Sequence, residues 1–180
     1  DDRIFPLYLK SQMEKIGYAD AVVCQLIDGK KIYYGEQRPF EKIIDKNYVI
    51  GKGNIIVSPG QVLMRRQSVS DVWQQQILQN NGADDWFLWI CMLSEGKHFR
   101  LNEDILFEHV IEGNNASLQT AKMIGSQREV VELVKKAELL SECEIYVLEQ
   151  TLWEEVYEKM RLLDKHRKMV LLFDEWMSLK

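Results

Sequence analysis

The chain has 180 residues, enough for one domain with its own hydrophobic core, and 46% of them are hydrophobic, which excludes a disordered polypeptide. Its formal charge of −5 speaks against nucleic acid as a partner, because phosphate recognition needs a clustered basic surface. No apolar run reaches membrane-span length and there is no secretory signal pattern; three scattered cysteines, Cys24, Cys91 and Cys143, fit reduced thiols in a cytoplasmic protein rather than a metal-ligand set.

In chain order, Pro6 suits the first turn of a helix over Leu7 to Ile16, which Gly17 ends. Ala19 to Ile27 is a β-branched apolar run and reads as a buried strand, and Asp28-Gly29 predicts a hairpin with Lys31 to Tyr34 returning antiparallel. Arg38 to Gly53 is loop with one short helix. Ser58-Pro59-Gly60 punctuates the chain before a strand over Gln61 to Arg66, and Ser68 or Ser70 starts a helix over Val69 to Leu78. His98 to Leu101 and Ile105 to Ile111 read as two short strands. From Leu118 onward the hydrophobic spacing is helical throughout, predicting two or three helices with a break near Asp164. The fold class expected is therefore α/β over residues 1–117, followed by a helical extension over residues 118–180 packed on it.

The stretch from Asn81 to Leu93 organises the candidate site. After the turn at Asn80-Asn81-Gly82 come two carboxylates, Asp84 and Asp85, and then Trp86, Trp89, Ile90 and Leu93 at helical spacing. One of the two acids sits at a helix N-terminus. It serves either as a cap or as a carboxylate held at the rim of a cleft, available as a general base. Arg65 and Arg66, beside Ser58-Pro59-Gly60-Gln61, are candidates for a diphosphate or acceptor site, since arginine recognises phosphate bidentately; solvated strand-end arginines are the alternative. Trp86 and Trp89 are either core or a stacking surface for a sugar.

Four stretches in this order resemble the second half of a family 2 glycosyltransferase with the GT-A fold. They are Asp1 to Leu9, Ala19 to Cys24, Gly82 to Trp89, and Leu106 to His109 with Gly113 to Ser117. The resemblance implies an inverting, metal-dependent transfer of sugar from a nucleotide-sugar donor to a glycan or glycolipid acceptor. It gives Asp85 the role of base, with Asp84 beside it, and places Mg²⁺ or Mn²⁺ at the acidic motif, where Asp1 and Asp2 would contribute and His109 is a candidate ligand. Many relatives carry a histidine where this chain has Glu112.

It further implies that the nucleotide-binding half lies before residue 1, so that the fragment by itself would bind little donor and transfer no sugar. A sheet lacking its first strands would favour a homo-oligomer. The expected location is the cytoplasm, at the inner face of the membrane for a glycolipid acceptor. The competing reading is a non-catalytic α/β-helical module whose C-terminal helices mediate assembly.

Overall fold

A computed structural model describes residues 2–80, 82–110 and 119–162, with side chains to residue 158. The centre of the molecule is a pair of parallel strands, β2 (Ala21–Asp28) and β5 (Phe99–His109). The run Ala21 to Leu26 is buried on both faces apart from Gln25, which explains its nearly continuous apolar sequence. β1 (Arg3–Ile4) pairs antiparallel with β5 on the far side. The other edge of β2 is shared. β4 (Val62–Met64) pairs with its first half and β3 (Lys31–Ile32) with its last two residues, both antiparallel. The sheet is thus mixed, and the class is α/β.

Helix α1 (Tyr8–Ile16) covers one face, where Ile16, Ala19 and Val22 form a small core with Leu63. It is held by a buried amide network. Gln12 Nε2 donates to Val22 O (3.4 Å) and Gln61 O (3.1 Å), and Asn102 Nδ2 donates to Gln12 Oε1 (3.1 Å). The opposite face carries the main core, built with α2 (Lys46–Lys52), α4 (Asp84–Ser94), α5 (Thr120–Lys136) and α6 (Glu142–Leu162). Lys46 pairs with Glu144, joining α2 to α6, and Lys135 with Glu149 (2.6 Å), joining α5 to α6. The expected break near Asp164 lies outside the described residues.

The structure departs from the sequence expectations in four places. The two short strands expected around Asn102 to Asp104 are one strand, β5. Its register against β2 slips between Cys24 and Leu26, so residues 103, 104 and 106 have no counterpart and interrupt the alternation. The strand expected over Gln61 to Arg66 shrinks to Val62–Met64, because Ser58 and Gln61 close a capping box and wind Pro59–Gln61 into a 3-10 turn. The helix expected over Val69 to Leu78 is one turn, α3 (Asp71–Gln74), capped by Ser70. Beyond it the chain is drawn off to α5, where Glu129 accepts the Gln79 and Asn80 N–H groups. The returning hairpin strand ends at Ile32, though Tyr33 N still donates to Leu26 O (3.1 Å).

Candidate functional site

Helix α4 is apolar on every side. All seven residues from Trp86 to Met92 are buried, which anchors the helix rigidly and leaves its acidic start as the polar end. Trp86 and Trp89 are fully buried, the Trp86 indole donating to Val49 O (3.3 Å), so both are core and neither offers a face to a sugar. The N-cap position is Ala83, which supplies no side-chain cap; Asp84 and Asp85 occupy the first turn.

The two acids differ. Asp84 is exposed, and its backbone carbonyl takes the Trp73 indole N–H (2.8 Å). Asp85 keeps only a strip of accessible surface. Its Oδ1 accepts two hydrogen bonds, from Asn54 Nδ2 (2.9 Å) and from the Trp86 backbone N–H (2.8 Å). Burial pushes the Asp85 carboxyl up to about 6. The two donated bonds pull the other way, and the charge of Asp84 adds to the rise. Both donors converge on one oxygen, and among the described residues Oδ2 accepts no hydrogen bond.

Asn54 follows the end of α2, and the segment it opens also reaches Asp2. Ile55 O accepts from Tyr34 Oη (2.9 Å), and Gln61 Nε2 donates to Tyr34 Oη (3.1 Å) and Cys24 O (3.2 Å). Ser58 Oγ donates to Asp2 Oδ2 (2.9 Å), while Asp2 Oδ1 accepts Val110 N–H (3.1 Å). The partners of Asp85 and Asp2 are therefore four residues apart on one segment, at most about 14 Å between their Cα atoms.

Asp1 lies outside the described residues. His109 ends β5 opposite Asp28, its Nδ1 buried without a hydrogen-bond partner among the described residues and 3.9 Å from Asp28 Oδ1. Among the described residues no group of three or more histidine, cysteine, aspartate or glutamate side chains could hold a metal ion. Both oxygens of Asp2 already serve as acceptors, and His109 turns to Asp28. With Asp1 outside the described residues, Asp2 and His109 are the part of the set expected for Mg²⁺ or Mn²⁺ that the structure describes.

Arg65 and Arg66 are not brought to Asp85. Arg65 Nε and Nη2 donate to Ala19 O (2.9 Å) and Gly17 O (2.5 Å), clamping the turn between α1 and β2, and Arg66 begins the 3-10 turn that follows. Such backbone carbonyls at a helix end are natural partners for a guanidinium, and they occupy Arg65, while Arg66 is exposed.

The cationic groups near Asn54 are instead Arg38 and Lys52, which with Tyr33, Tyr48 and Asn54 line an open cleft of 330 Å³. Sequence reasoning passed over these residues because they sit in a stretch of weak periodicity; the one local signal was Asp45, which caps α2 through Tyr48 N (2.8 Å). No protein-family model, curated protein or solved structure matches the chain. Among the described residues no helix is long and apolar enough to cross a membrane.

Proposed function

We propose that this chain supplies the acceptor side of an inverting glycosyl transfer, the second half of a GT-A-like catalytic domain, with Asp85 as the general base. The observation that carries the reading is the Asp85 carboxyl itself. One oxygen is fixed by two donors, the other is open, and burial lifts its proton affinity to about 6. A base is most effective when its pKa lies near the working pH. At neutral pH the carboxylate is ionised, and Oδ2 is the atom to take the proton from an acceptor hydroxyl as that oxygen attacks the anomeric carbon of a nucleotide sugar. Asn54 and the Trp86 N–H hold the carboxylate in place meanwhile, and the buried α4 keeps the geometry fixed.

The ligands of a divalent cation are not assembled among the described residues, and no step here runs through one. Asp84 is a neighbouring charge rather than a second base. A purely capping role for Asp85 does not account for Asn54, which reaches it from a separate helix end.

The test is nucleoside-diphosphate release from UDP- and GDP-sugars, with glycan acceptors present, by the protein as its gene encodes it. Asp85→Asn should lower turnover by on the order of 10²–10⁴-fold, the usual worth of a general base. Asp84→Asn should be milder. Unchanged turnover in a folded Asp85→Asn protein would reject the assignment.

A further inference from the structure

The cleft beside Asn54 differs in its lining from the other clefts described, which all include glutamates. The chain carries 28 acidic against 23 basic residues, yet among the described residues no aspartate or glutamate lines this cleft, while Arg38 and Lys52 both do. Neither cation has an ion-pair partner among the described residues. Two unpaired cations facing one concavity of 330 Å³ raise the local concentration of anions and form a site of small-ligand size.

The cleft is also built rather than incidental. Arg38 is held by reciprocal backbone hydrogen bonds with Gly35 (3.0 Å each), and its guanidinium stacks 4.4 Å from the centre of the Tyr33 ring. Tyr33 stands edge-on to Tyr34 at 5.0 Å, and Tyr34 is fixed by its bonds to Ile55 and Gln61. Amide and hydroxyl groups beside two cations are the complement of a sugar that bears a negative charge: they meet the sugar's own hydroxyls, and the anion meets the guanidinium and ammonium.

From this we infer that the cleft of Tyr33, Arg38, Tyr48, Lys52 and Asn54 binds an anionic sugar, one carrying a phosphate or a carboxylate. Its place follows from Asn54, which lines the cleft and donates its amide to Asp85. Calling the cleft the acceptor subsite rests on the reading of Asp85 as base; the binding of an anionic sugar does not.

The experiment is NMR or calorimetric titration of the 180-residue chain with glucose 6-phosphate, glucuronate, glucose and inorganic phosphate. Either charged sugar should bind with a dissociation constant on the order of millimolar, and glucose about tenfold or more weakly. Binding of the phosphosugar alone, or of the uronate alone, would assign the anion. Arg38→Gln combined with Lys52→Gln should abolish the preference for the charged sugar. Both side chains are exposed, so the fold should survive, which a thermal melt checks.

Equal affinity for glucose, charged-sugar binding that survives the double substitution, or inorganic phosphate binding as tightly as glucose 6-phosphate would each overturn the inference. Asp85→Asn should leave the titration intact. A protein that binds the charged sugar yet shows no loss of transfer on Asp85→Asn would lose only its base; one that loses transfer but never bound the sugar would lose only this site.

Discussion

Asp85→Asn should make the protein more stable, and only at the pH values where Asp85 is charged. The Asp85 carboxyl rises from 3.8 to about 6 on folding, mainly through burial. Between these values the native state holds a proton that the unfolded chain releases, so stability falls as pH rises from about 4 to about 6 and stays lower above it. The difference of about 2 units, at 1.36 kcal/mol each, puts the cost of the buried charge at about 3 kcal/mol. Asparagine keeps an acceptor oxygen for Asn54 and the Trp86 N–H and carries no charge. At pH 8 the variant should exceed the wild type by about that amount, roughly 6–12 °C in melting temperature for a chain of this size. At pH 4 the two should converge. Urea midpoints for both proteins across pH 4–8 measure this directly. A pH-independent gain, or none at pH 8, would refute the argument that burial sets the titration of Asp85.

Other outcomes follow from single contacts. Asn54→Ala removes a bond that favours the ionised carboxylate, so the Asp85 titration should move above 6 and the acidic limb of the rate profile to higher pH; NMR titration of the carboxyl carbon reads the first and kinetics the second. The Glu144 carboxyl is held down at about 2, chiefly by Lys46 and then by Ser141. Its contribution is therefore present above about pH 4.5 and lost as pH falls toward 2. Lys46→Ala should cost under about 1 kcal/mol at pH 7 and progressively less as pH falls toward 2, measured by denaturant unfolding. Cys24 and Cys91 are buried, with their thiols pushed up to about 12, whereas Cys143 is exposed. A thiol reagent should titrate one cysteine in the native protein and three after unfolding. Gly60 packs where an added Cβ would sit 2.6 Å from the Phe107 ring, so Gly60→Ala should destabilise by about 1–3 kcal/mol in the same unfolding assay.

What the sequence made legible was local. The helix of α1, the buried strand β2, the Asp28-Gly29 hairpin and the start of α4 all follow from periodicity and turn chemistry within a dozen residues. The long strand β5 was read as two because its slipped register breaks the period-2 pattern, and that slip is a property of its pairing with β2. The helix after Ser70 was overextended because Glu129, some fifty residues away, claims the Gln79 and Asn80 N–H groups.

The site divides the same way. The prominence of Asp85 came from its place before an aromatic helix. Asn54, Arg38 and Lys52 stand in a stretch with no periodic signature, and only the folded chain shows them near one another. The arginines that looked available, Arg65 and Arg66, were judged by their neighbours in sequence, while the backbone carbonyls that occupy Arg65 come from the turn between α1 and β2.

The segment from Asn54 to Gln61 acts mechanically as a bracket. It bonds Asp85 at one end and Asp2 near the other, while Gln61 bolts it to β2 through Cys24 O and to α1 through the amide of Gln12. Among the described residues it has no sheet partner before Val62, so side chains rather than a strand ladder keep it in position. A displacement of this backbone would carry the partners of both carboxylates with it. The five residues from Asn54 to Ser58 thus tie one acid to the other, and Val110 N–H holds Asp2 from the β5 side as well.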